Sequence, residues 1–163
     1  MIKTLAIANF RSINNLVLPL SQLNVITGAN GSGKSNLYKA LRLLAETAQD
    51  SVIGAIAKEG GLKSVLWAGP EKISTRMQKG EVSIEGTPRK KAIRLHMGFT
   101  EDDLGYAISL GLPEPIPGGS AFELDPEIKN ETIWAGEWYK VTRTLVERKG
   151  PLIQIKQGRQ THV

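Results

Sequence analysis

The sequence predicts an α/β fold, in which a strand–loop–helix unit is joined to an antiparallel β-rich region. Three observations predict it. A short apolar run, Leu23, Val25 and Ile26, leads into a glycine-rich turn. Apolar residues at helical spacing follow: Leu37, Ala40, Leu41, Leu44 and Ala48. After Gly80 the apolar period changes to two, as in half-buried strands.

The elements follow in order. Leu5, Ile7 and Phe10 mark a first strand, with Ala6 and Ala8 between them. A turn at Ser12–Asn15 leads to Leu16, Leu18 and Leu20, which alternate as a second strand paired back on the first. Pro19 suits a strand end or edge, because it has no N–H to donate. The first helix is expected from the glycine turn to about Thr47, and a second over Ser51–Lys58, closed by Gly60-Gly61. Leu62–Trp67 is a short apolar stretch, and Glu71–Gly80 a loop or short helix. Val82 and Ile84 alternate before Gly86. The runs Ile93–Phe99 and Leu104–Leu112 form a hairpin about Thr100–Asp103. Pro113–Gly119 is a loop, Phe122–Ile133 a strand or helix, and Lys140–Arg148 and Leu152–Lys156 strands about Lys149-Gly150-Pro151.

Gly28 to Ser35 has the pattern G-x-x-x-x-G-K-S, with a strand expected before it and a helix after it. That arrangement is an anion site. Amides at a helix start lack intrahelical partners, and the helix dipole favours negative charge there. Gly28, Gly31 and Gly33 let backbone approach phosphate oxygens closely. Lys34 supplies a point charge for the β- and γ-phosphates, and Ser35 a hydroxyl for Mg²⁺. The expected ligands are therefore a nucleotide phosphate and Mg²⁺, with Ser35 as the metal ligand.

Asn9-Phe10-Arg11-Ser12, followed sixteen residues later by Gly28-Ala29-Asn30-Gly31-Ser32-Gly33-Lys34-Ser35-Asn36, resembles the N-terminus of RecF/SMC-type ATPases. These are the ATP-binding-cassette-like heads of DNA repair and chromosome-structuring proteins. Leu41–Glu46 and Val65–Gly69 are similar to predicted bacterial and archaeal ATPases related to them. The resemblance is strong over residues 1–70 and weak beyond. It implies a P-loop NTPase core of the ABC-ATPase type with an antiparallel β-rich subdomain. It implies one incomplete head domain over 1–163, with the hairpin, loop and helices in 1–70 and the β-rich region in 71–163. It places Phe10, Arg11 and Ser12 on the adenine and sugar side of ATP. It wraps Asn30–Ser35 around the phosphates, flanked by Gly28, Ala29 and Asn36, and casts Lys34 and Ser35 as catalytic. A glutamine sensing the γ-phosphate is also implied; Gln78, Gln154 and Gln157 are candidates.

The chain departs from that pattern. Phe122-Glu123-Leu124-Asp125-Pro126 is not a Walker B strand, and Gly118-Gly119-Ser120 is not a Leu-Ser-Gly-Gly signature. ATP hydrolysis is therefore expected to need a C-terminal half or a second ATPase head. The alternative is a DNA-associated scaffold with nucleotide as a dimerisation switch, suggested by Arg89-Lys90-Lys91 and Arg148-Lys149. A small-molecule or nucleoside kinase is disfavoured, because the steady βαβα alternation is missing.

Composition narrows the class. At 163 residues, 40% hydrophobic and 23% charged, the chain has the length and make-up of one globular domain. Cysteine is absent, which excludes a disulfide framework and fits a cytoplasmic protein. No apolar run approaches the roughly 18 residues of a membrane span. Net charge is +5, with basic stretches over Lys72–Arg94 and after Tyr139 and an acidic one over Glu101–Glu137. His96 and His162 have no partner histidine or cysteine at ligand spacing, and Glu101-Asp102-Asp103 belong to a turn. Trp67, Trp134 and Trp138 are expected as core or interface aromatics.

Overall fold

A computed structural model describes residues 1–49, 51–70, 74–83 and 92–156. The strands are β1 (Thr4–Phe10), β2 (Ile13–Pro19), β3 (Leu95–Thr100), β4 (Leu104–Gly111), β5 (Glu127–Ala135), β6 (Thr144–Lys149) and β7 (Leu152–Ile155). They form one antiparallel sheet in the order β2-β1-β3-β4-β5-β6-β7. The helices are α1 (Lys34–Thr47), α2 (Val52–Lys58), α3 (Leu62–Val65) and α4 (Thr75–Gln78). The chain is thus α/β, but the N-terminal hairpin and the β-rich region share a single sheet.

The period of two decides which face is covered. Ile7, Met97 and Ile108 lie in register across β1, β3 and β4, as do Leu95 and Leu110 across β3 and β4, and all are buried. With Leu5 they form the core against α1 and α2, through Leu37, Ala40, Leu43, Leu44, Val52 and Ile56. The opposite face carries small residues: Ala6, Gly98, Ala107 and Thr132 are in register. A cavity of about 450 Å³ lies over them, walled by Trp134, on the far side of the sheet from α1. Trp134 covers Gly105 so closely that a Cβ there would sit 2.1 Å from the indole.

Most of the expected elements form. The main exception is the strand before the glycine turn. Residues 22–28 are not in a strand, and Leu23 and Val25 are 81% and 79% exposed. The physical reason is pairing: a strand must satisfy its amides and carbonyls on a neighbour. β1 already lies between β2 and β3, and the run does not add to the outer edge of β2. On α1, Leu43 is buried where Leu41 was expected, since Leu41 is 37% exposed. Ile93 precedes β3 rather than joining it, residues 127–135 are strand, and Val141–Arg143 is a 3-10 turn ahead of β6. Ile84, Gly86, Arg89, Lys90, Lys91, Gln157 and His162 lie outside the described residues. No described helix is long and apolar enough to cross a membrane.

Candidate functional site

The glycine turn hangs between β2 and α1. Gly31 and Gly33 have φ of 83° and 93°, in the left-handed region that glycine alone adopts freely. Gly33 is the N-cap of α1, and no side chain caps that helix. A Cβ on Gly28 would meet Ser32 Oγ at 2.7 Å, and one on Gly33 would meet Ser12 Oγ at 3.0 Å. The loop is therefore a cradle that side chains would fill.

Lys34 folds back over this cradle. Its Nζ donates to Gly28 O at 2.5 Å and Ala29 O at 2.8 Å, with Ser32 Oγ at 3.4 Å. The carbonyl oxygens stand in for an anionic partner, so the ammonium is already positioned over the loop. The fit to a nucleotide phosphate is good: an uncapped helix start, a Cβ-free cradle and a cation above it converge on one point. Ser35, in the first turn of α1, is the hydroxyl suited to Mg²⁺.

The residues at the end of β1 come to the same place. Asn36 Nδ2 donates to Ser12 Oγ at 2.8 Å, which ties the Asn-Phe-Arg-Ser segment to the helix start. Asn9 and Arg11 both have positive φ, 63° and 47°, on either side of Phe10. That conformation is uncommon outside glycine and marks a locally strained backbone. It is held by Arg11 N donating to Val65 O at 2.8 Å, Trp67 N donating to Asn9 O at 3.0 Å, and Asn9 Nδ2 donating to Arg94 O at 2.8 Å. The alternation turns Phe10 inward, where it is 2% exposed. Of these residues, Ser12 is the one bonded to the helix start.

Arg11 forms an ion pair with Glu59, which also lies 3.8 Å from Lys39. Glu59 and Lys39 escaped the sequence reading. Arg11 and Glu59 are 48 residues apart, and no spacing rule links a helix C-cap to a strand end. A cavity of about 200 Å³ runs from Ser35 between α1 and α2, lined in part by Lys39, Arg42 and Glu59.

The other candidates lie elsewhere. Gln154 is on β7, at the sheet edge opposite β2, and Gln78 ends α4. Trp134 is buried, whereas Trp138 is 70% exposed. Burial, then the hydrogen bond to Glu131, pushes the Tyr106 phenol above its ordinary range. The His96 imidazole is held below its usual value by desolvation, then by Arg94, although part of the residue remains exposed. No group of three or more His, Cys, Asp or Glu able to hold a metal occurs among the described residues.

A family model described as an AAA ATPase domain matches residues 1–153. The chain belongs to this family. The match spans the glycine turn, α1 and all but the end of the sheet, so the strained β1 terminus and the loop are parts of one AAA ATPase domain. Among curated proteins, none matches the chain.

Proposed function

We propose that this AAA ATPase domain is the N-terminal portion of a head of the RecF/SMC type, binding ATP with Mg²⁺. The observation that carries the reading is the contact between its two motif halves: Ser12 and Asn36 are hydrogen bonded while Lys34 lies over the Gly28 and Ala29 carbonyls. Residues 28–36 act as a P-loop. Lys34 exchanges two carbonyls for phosphate oxygens, so binding replaces contacts rather than creating an ordered side chain. The first-turn amides of α1 complete the cradle, and Ser35 holds the metal. Bound Mg²⁺ neutralises phosphate charge, and positioning plus electrostatics supply most of such catalysis. Arg11 and Ser12 line the approach; Phe10 serves by fixing the backbone that presents them.

The same reading makes residues 1–163 one incomplete head. Leu23, Val25 and Ile26 lead into the P-loop in exposed chain outside the sheet, which supports a strand completed by a C-terminal half or a second head. The alternative of a DNA scaffold draws less support. Arg148 lies 3.9 Å from Glu131 and Lys149 lies 3.0 Å from Glu147, so these cations are locally neutralised. Calorimetry with ATP and Mg²⁺ tests the main reading: Lys34→Ala should abolish binding, and unchanged affinity would refute the P-loop assignment.

A further inference from the structure

The ion pair between Arg11 and Glu59 has no role in the reading above, yet Glu59 lines the same cavity as Ser35. Three facts define it. The Arg11 backbone is pinned at φ 47° by its amide bond to Val65 O, and Phe10 beside it is buried, so only the side chain is free to move. The carboxylate that holds the guanidinium also lies 3.8 Å from Lys39 Nζ. Lys39 is four residues after Ser35, on the same face of α1, about one helical turn away.

Glu59 is also in an unfavourable place for its own helix. It is the C-cap of α2, where the dipole presents partial negative charge and an acidic side chain is disfavoured. Helix stability does not account for a carboxylate there; the two cations do. Held between them, in the cavity that Ser35 also lines, the carboxylate occupies the electrostatic role of a phosphate oxygen.

We propose that Glu59 is a positioning residue that sequesters Arg11 in the nucleotide-free protein and gives it up when a nucleotide phosphate competes for the guanidinium. The proposal rests on the assignment of the P-loop and of Arg11 as a residue on the approach to it. Glu59 touches neither the nucleotide nor the metal. It sets how much of the Arg11–phosphate attraction is cancelled by an internal bond, and so sets the affinity.

The test is a double-mutant cycle on the full chain, with ATP–Mg²⁺ affinity measured by calorimetry at low salt. Glu59→Gln should tighten binding by about twofold to fivefold, the size that an exposed ion pair supports. The gain should vanish in an Arg11→Ala background, and Glu59→Asp, which keeps the charge, should stay close to wild type. A gain below about twofold, weakened binding, or an equal gain with Arg11→Ala would overturn the proposal. Thermal midpoints of each variant show whether folding is intact. Lys34→Ala separates the two readings. If it binds like wild type, the P-loop assignment fails; if it does not bind and Glu59→Gln has no effect, only the role of Glu59 fails.

Discussion

At residue scale the loop depends on positions where a side chain is excluded twice over. Gly33 combines φ of 93° with a Cβ position 3.0 Å from Ser12 Oγ. Gly33→Ala should destabilise the chain by about 1–3 kcal/mol through backbone strain and displace Ser12 from Asn36. Urea unfolding checks the stability, and loss of ATP binding checks the geometry; a neutral substitution would mean that the loop is soft. Phe10 is a different kind of position. It is fully enclosed between two left-handed residues, so Phe10→Ala should cost about 3–5 kcal/mol of stability. If the variant instead folds normally and loses only ATP affinity, the ring contacts nucleotide and its role as a backbone anchor is wrong. Motif matching alone could not separate these roles. The same four-residue segment contains a core residue, Phe10, and a residue bonded to the helix start, Ser12, and its backbone is left-handed at Asn9 and Arg11.

At the scale of elements, α1 links the site to the sheet. Leu37, Ala40, Leu43 and Leu44 bury one side, and the N-terminus of the same helix forms the cradle. Its hydrophobic spacing was legible because the 3.6-residue period is local information; that Leu43 rather than Leu41 is buried depends on what the helix packs against. β3 carries a pH dependence. The His96 pKa is lowered in the fold, so the fold favours the neutral ring. Its stabilising contribution is complete above the unfolded pKa of about 6.5 and declines as pH falls through that value toward the folded one. Urea midpoints should therefore decrease between about pH 7.5 and pH 5.5, less so in His96→Gln. An equally steep decline in the variant would acquit His96.

At the scale of the whole molecule, the site and the exposed apolar segment are adjacent. Leu23, Val25 and Ile26 lie in chain that leads directly into the glycine loop, and their backbone is unpaired by the sheet. Amides of residues 23–26 should exchange with solvent almost unprotected in this chain, and become protected when a completing half or second head binds. Hydrogen exchange with and without that partner decides it; protection already present in the isolated chain would show that the segment is not an open edge. ATP turnover by the 163-residue chain alone should be weak, since no Walker B acid follows the loop. Robust turnover by a monomer would refute the need for completion.

By itself the sequence determined the glycine loop, the helix that follows it, the β-hairpins and the sheet face that is buried. These depend on periods and turn residues that act within a few positions. The tertiary structure alone decided three things. It left the run at Leu23–Ile26 outside the sheet, with β1 flanked on both sides and the outer edge of β2 not taken up by it. It turned Phe10 into the core and bonded Ser12 to the helix start, in a segment with two left-handed backbone angles. It brought Glu59 to Arg11 across 48 residues. Each is a question of which distant segment supplies a neighbour, and local patterns carry no record of that.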